Sequence, residues 1–224
     1  MNRLDVFLSG KIILLCHPNI ELDIISGEWH SWFNDQELTK YLEHGVRSIN
    51  ATDEAQIIRS ELAKSSNLIF TIVGKDCGKC FGVISIKDIN HLMRRGEIAL
   101  VTNRACLPGA ALEAMALMTA HAFDRLNLQK LYAGQHEGLW KWVNTLALIG
   151  YKIEGISRFQ GYRNGGSYYV ILTGITENDY YKLKLDRNGD ILSGDALGLS
   201  KLRKKENRAE ELRKILDDFN EKYV

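Results

Sequence analysis

The chain has 224 residues, 45% apolar and 25% charged, with a formal net charge of +1, which fits one ordinary globular domain with an appendage or two small ones. So even a charge balance argues against nucleic acid or a membrane surface as the main partner. Met1–Gly10 lacks the long apolar run of a signal peptide, and no stretch reaches the roughly 18 apolar residues a membrane helix needs, so a cytoplasmic protein is expected.

In chain order, Lys11–Leu15 reads as a buried strand. The aromatic-rich segment from Glu28 to Glu43 fits one or two short helices broken near Asn34-Asp35. Thr52–Lys64 reads as a helix, with Thr52 as N-cap and Ala55, Ile58 and Leu62 on one face. Leu68–Val73 and Phe81–Ile86 are β-rich and flank Gly74–Cys80, hence a hairpin. Cys77 and Cys80 have C-x-x-C spacing, but there is no second such pair to complete a zinc site, and the segment is most simply a turn. No metal is expected. Cys16 and Cys106 read as small apolar residues.

Glu97–Val101 is another strand, and Gly109–Leu126 is the strongest helix, with Leu112, Met115, Ala116, Thr119, Phe123 and Leu126 on one face. Gln129–Ala133 is a short strand, and Leu139–Leu148 a short helix ending at Gly150. Tyr151–Arg158 and Tyr168–Leu172 are the last strands, turning through Asn164-Gly165-Gly166. The order predicts a mixed α/β sheet. A glycine-punctuated linker follows, and Lys201–Val224 carries a narrow apolar stripe of Ala209, Leu212, Leu216, Phe219 and Tyr223. That stripe docks on its own domain, pairs two copies into a homodimer, or belongs to a solvated tail.

The richest stretch is residues 96–115, where an apolar strand ends at Val101, a tight connection carries Arg104 and Gly109, and a long helix begins. Helix N-termini expose unpaired N–H groups and a partial positive charge, so a small-residue entry forms a cradle for a phosphate-bearing ligand.

This order of elements over roughly residues 10–183 resembles the GNAT (GCN5-related N-acetyltransferase) superfamily, closest to its ribosomal-protein alanine and amino-sugar nucleotide acetyltransferases. The family pattern Gln/Arg-x-x-Gly-x-Gly/Ala frames Arg104-Ala-Cys-Leu107-Pro-Gly109, with Leu107 replacing the first glycine. Glu113-Ala114, Ile149-Gly150-Tyr151 and Asp179-Tyr180 add to the resemblance. It implies a mixed, mostly antiparallel GNAT-like sheet of six to seven strands, flanked by helices, with a C-terminal helical extension. The corresponding division is an acetyltransferase-like domain over 1–183, a linker over 184–200 and an amphipathic helix over 201–224.

The resemblance implies acetyl-coenzyme A as donor, its pyrophosphate on backbone N–H groups around Leu107, Gly109, Ala110 and Ala111 and on the Arg104 side chain. Val101 and Thr102 would offer backbone groups to the pantetheine and the thioester carbonyl. Glu97 stands where several members keep a general base, and is otherwise an exposed residue at a strand start. The usual tyrosine acid falls on Leu146, and frequent Asn and Ser positions fall on Leu139 and Trp142. His136, Tyr132 and Tyr162 are candidate substitutes for that acid, with His136 otherwise a solvated loop histidine.

On the acceptor side, Trp32, Asn34, Tyr41 and His44 suit a sugar or nucleotide, while Trp29, Trp32 and Tyr41 equally suit a core and Asp35 an N-cap. The expected activity is acetyl transfer to a primary amine of a small molecule, with a nucleotide-linked amino sugar first. A protein N-terminal amine and a non-catalytic coenzyme-binding module are the alternatives.

Overall fold

A computed structural model describes residues 5–42, 48–163 and 165–223. They form two compact units, Met1–Leu131 and Tyr132–Val224. The architecture is the expected mixed, mostly antiparallel sheet flanked by helices with a C-terminal helical extension, and the described residues contain eight strands, one more than expected.

In the first unit, β1 (Val6–Ser9), β2 (Ile13–Cys16), β3 (Leu68–Gly74), β4 (Cys80–Asn90) and β5 (Arg95–Thr102) lie side by side in chain order, each antiparallel to the next. The β-branched run of β3 is buried along nearly its whole length, as a strand covered on both faces should be. β1 is the added strand. It turns into β2 through Gly10, whose N–H donates to the Ile13 carbonyl at 2.8 Å.

The first unit's helices are a π-helical turn (Ile20–Ile25), α1 (Trp29–Asn34), α2 (Gln36–Thr39), α3 (Ala51–Leu62) and α4 (Ala110–Asp124). Asn50, not Thr52, caps α3: its backbone is extended (φ −94°, ψ 166°) and its side chain accepts from the Asp53 N–H. Capping needs that non-helical geometry, and Thr52 already lies in the first helical turn. Ala55 and Ile58 of α3 join Ile24, Trp29, Trp32 and Ile69 in one apolar cluster, with the two indoles stacked 6.2 Å apart. Each such large side chain contributes roughly 1.5–3 kcal/mol on burial. α4 is buried around most of its girth, through Ala110, Leu112, Ala114, Met115, Met118, Ala122 and Phe123. The Gly74–Cys80 segment is a hairpin turn, with Cys77 exposed and Cys80 half-buried.

In the second unit, β6 (Lys130–His136), β8 (Gly166–Thr176) and β7 (Lys152–Arg163) run in that spatial order, with β7 and β8 an antiparallel pair. Between β6 and β7 lies α5 (Trp140–Leu146), and Gly150 ends the following turn in the left-handed conformation at φ 97°. Then come α6 (Glu177–Asp186), α7 (Ala196–Ser200) and α8 (Arg208–Tyr223). The first half of α8 docks within its own unit. Ala209 packs with Val143 and Ile171, and the Asn144 side-chain amide donates to the carbonyls of Lys204 at 3.0 Å and Glu206 at 2.8 Å. Ile215 and Phe219 stay exposed. Among the described residues, no helix is long and apolar enough to cross a membrane.

Candidate active site

The strand-to-helix connection after β5 is shaped by Asn103. Its N–H donates to the Phe81 carbonyl at 2.7 Å, ending the ladder with β4. Its side chain accepts from the Ala105 N–H at 3.0 Å and donates to the Cys80 carbonyl at 3.2 Å, the self-bracing a short Asx turn provides. Gly109 then opens α4 in the left-handed region (φ 86°, ψ −19°), with no side chain capping the helix. A residue with a Cβ is strained there. Because the cap brings no side-chain acceptor, the first N–H groups of a 15-residue helix face the loop.

The cradle is partly self-occupied. The Ala110 N–H donates to the Leu107 carbonyl at 3.0 Å. The Cys106 thiol sits at the same entry, its pKa pushed up by burial while hydrogen bonds from the Thr102 side chain and the Ala111 N–H pull it down. Val101 and Thr102 are half-buried at the end of β5, whereas Arg104 and Leu107 are exposed. Where the family pattern has its first glycine, the exposed apolar side chain of Leu107 stands instead.

Strand register places the proposed base. In antiparallel pairs, residues directly opposite share a face. Glu97 pairs with Lys87, Ala99 with Ser85 and Val101 with Val83, while Ser85 also pairs with Ile69. Ile69 and Val83 belong to the cluster of Trp29 and Trp32, so Glu97, Ala99 and Val101 lie on the sheet face that carries α1 and α3. Glu97 is half-buried near the start of β5.

The acceptor-side candidates separate. Trp32 is 6% exposed and belongs to the core. Asn34 clamps the chain: its amide donates to the Ile49 carbonyl at 2.7 Å and accepts from the Ile49 N–H at 2.9 Å. Tyr41 is half-buried, with the Lys40 ammonium 5.2 Å from its ring centroid. His44 lies outside the described residues. Asp35 is the N-cap of α2, as expected, accepting from the N–H groups of Glu37 at 2.9 Å and Leu38 at 3.2 Å.

Three features have no local signature in the sequence. Arg104 donates to Asp35 at 2.9 Å, joining the loop to the start of α2. Burial alone would raise the Asp35 pKa, but the two backbone N–H groups and the Arg104 guanidinium together hold it below the ordinary value. Buried Glu113 accepts from the N–H groups of Lys11, Ile12 (3.0 Å) and Ile13 (3.2 Å), fastening α4 to the β1–β2 turn. Buried Glu54 on α3 has its pKa raised by burial, against smaller lowering effects of Trp29, His30 and Lys87. The Trp29 indole N–H comes close enough to influence Glu54 but has no partner in hydrogen-bonding geometry.

In the second unit, Leu146 is fully buried, so the usual acid position is core. His136 accepts from the Gly138 N–H at 3.0 Å and stacks on Tyr168 at 4.4 Å, while Tyr162 is strongly exposed and Tyr132 half-buried.

Residues 21–151, more than half of the chain, match the acetyltransferase (GNAT) domain family. The chain belongs to the GNAT acetyltransferase family. Its fold is similar to a GCN5-related N-acetyltransferase from Brucella melitensis, with TM-score 0.68 and 16% identity over 87% of this chain and 93% of that one. It is also similar to spermidine N-acetyltransferase from Vibrio cholerae in complex with CoA and spermine, with TM-score 0.66 and 17% identity over 75% of this chain and 98% of that one. A probable GNAT-family acetyltransferase from Chromobacterium violaceum aligns with TM-score 0.65 and 14% identity over 79% of this chain and 89% of that one. At these identities the likeness is one of fold. No curated protein matches the chain.

Proposed function

We propose that the protein is an acetyl-coenzyme A-dependent N-acetyltransferase acting on a primary amine of a small molecule. The observation that carries this reading is the uncapped start of α4 behind the left-handed Gly109, inside the segment matching the GNAT family. Phosphate oxygens of the donor would be met by the N–H groups of Leu107, Gly109, Ala110 and Ala111 and by Arg104. A ligand phosphate is a stronger acceptor than the Leu107 carbonyl that now engages Ala110.

A primary amine is mostly protonated at neutral pH and must lose a proton before it attacks the thioester carbonyl. Glu97 takes that proton directly or through water. The tetrahedral oxyanion accepts hydrogen bonds from backbone N–H groups at the end of β5, a contribution often worth a few kcal/mol. Collapse breaks the C–S bond and expels the coenzyme A thiolate, and water passes the excess proton on the new amide nitrogen to that sulfur, giving the amide and the free thiol. That chemistry tolerates Leu146 at the usual acid position.

With Trp32 in the core and both ends of the Asn34 amide engaged by Ile49, a nucleotide-linked amino sugar has less support than a small primary amine in general. The test is coenzyme A thiol release with a panel of nucleotide-linked amino sugars, polyamines and a peptide with a free N-terminus. A small amine should be acetylated, and Glu97→Gln should lower kcat about a hundredfold or more with donor affinity unchanged. Turnover only on the peptide would move the acceptor class to protein N-termini. Donor binding without turnover on any amine would make the chain a coenzyme-binding module.

A further inference from the structure

Arg104 is the only Lys or Arg between Arg95 and Arg125, so it is the single permanent cation the strand-loop-helix segment can offer an anionic ligand. Its side chain is 64% exposed, and its contact with Asp35 is end-on, through one nitrogen at 2.9 Å. A guanidinium carries five N–H donors in a rigid fork, so a single end-on contact leaves the greater part of the fork for a second anion. Asp35 is a fixed anchor. The same oxygen that meets Arg104 accepts the N–H groups of Glu37 and Leu38, so its rotamer is set by capping α2 whether or not Arg104 is present. The neighbouring Lys40 is paired with Glu37 at 3.1 Å and does not compete for that oxygen.

We propose that Asp35 is a positioning residue of the donor site, holding the Arg104 guanidinium in place beside the 104–111 loop so that its remaining N–H groups receive a phosphate of the coenzyme. This inference rests on the donor reading above. An unanchored, exposed arginine would lose side-chain freedom on meeting the phosphate, and anchoring beforehand removes part of that cost. The opposite outcome is equally concrete: a carboxylate that mainly neutralises Arg104 would weaken phosphate binding, and its removal would tighten it.

The test is isothermal titration of coenzyme A at low ionic strength into the unmodified chain, Asp35→Ser, Arg104→Gln and the double variant. Serine caps a helix about as well as aspartate, so the substitution removes the charge and spares α2. Asp35→Asn, also a good cap, is the second variant should the first fail to fold. Asp35→Ser should weaken binding about threefold, a size suited to an exposed pair. In the Arg104→Gln background it should have no further effect. Equal or tighter binding by Asp35→Ser overturns the proposal. So does the same weakening with and without Arg104, since a role in holding α2 would act that way. Arg104→Gln binding as tightly as the unmodified chain also overturns it, and leaves the donor reading standing provided Gly109→Trp abolishes binding. No binding to the unmodified chain removes both.

Discussion

Glu113 is the residue whose role the fold defines most sharply. A buried carboxylate is costly unless hydrogen bonds replace its hydration, and three successive backbone N–H groups do so here. The same contact explains Gly10, where an added Cβ would lie 2.6 Å from the carboxyl carbon of Glu113. Glu113→Ala should cost about 1–3 kcal/mol in urea unfolding, because the buried Ile13 N–H is left unpaired. Glu113→Gln, which keeps one acceptor oxygen, should cost less. A Glu113→Ala chain as stable as the parent would show that the contact is immaterial. The sequence marks Glu113 only through the family resemblance of Glu113-Ala114 and says nothing of this contact, since its partners are about a hundred positions away.

At the scale of elements, α3 separates sequence reading from geometry. Asn50 and Thr52 are both capable caps, and only the backbone decides between them. Asn50→Ala should therefore destabilise the protein by about 1 kcal/mol in thermal or urea unfolding, and Thr52→Ala by much less. The reverse ranking would place the helix start two residues later. The hairpin around Gly74–Cys80 and the helix from Gly109 were legible because their patterns are local and strong. β1 was not, because four residues without inward–outward alternation carry no strand period. Helix α6 escaped notice for a related reason: only Tyr180 is buried, so no apolar stripe announces it, and its Thr176–Asp179 capping box is the one signal that was available.

Across the whole molecule, the order of most elements was readable because those strands and helices carry their own periodicity, β1 and α6 apart. The site was readable only in outline. The Gly109 entry stands in the sequence, but the use of Asp35, Asn34 and Trp32 depends on partners brought together by folding. Stability should also depend on pH in a defined sense. Burial, then the nearby Arg125 charge, lower the pKa of His121 in the first unit. Burial also lowers that of His136 in the second unit, with Glu137 opposing and Arg163 assisting. Unfolded histidines near the ordinary 6.5 take up protons before the folded ones do. Their contribution is thus complete above that value and is lost as pH falls through the folded pKa values. Melting temperature should fall on acidification below 6.5, and the double variant His121→Gln/His136→Gln should flatten that slope. An unchanged slope would contradict this assignment.

The most direct test of the central claim is isothermal titration of acetyl-coenzyme A into the unmodified chain and into Gly109→Trp, with circular dichroism melting to show that the variant is folded. Gly109 occupies the left-handed cap of α4, so a tryptophan there both strains the backbone and fills the cradle. The account predicts binding with a dissociation constant on the order of micromolar for the unmodified chain and none for a folded Gly109→Trp. Absent binding by the unmodified chain, or equal binding by both, would contradict it.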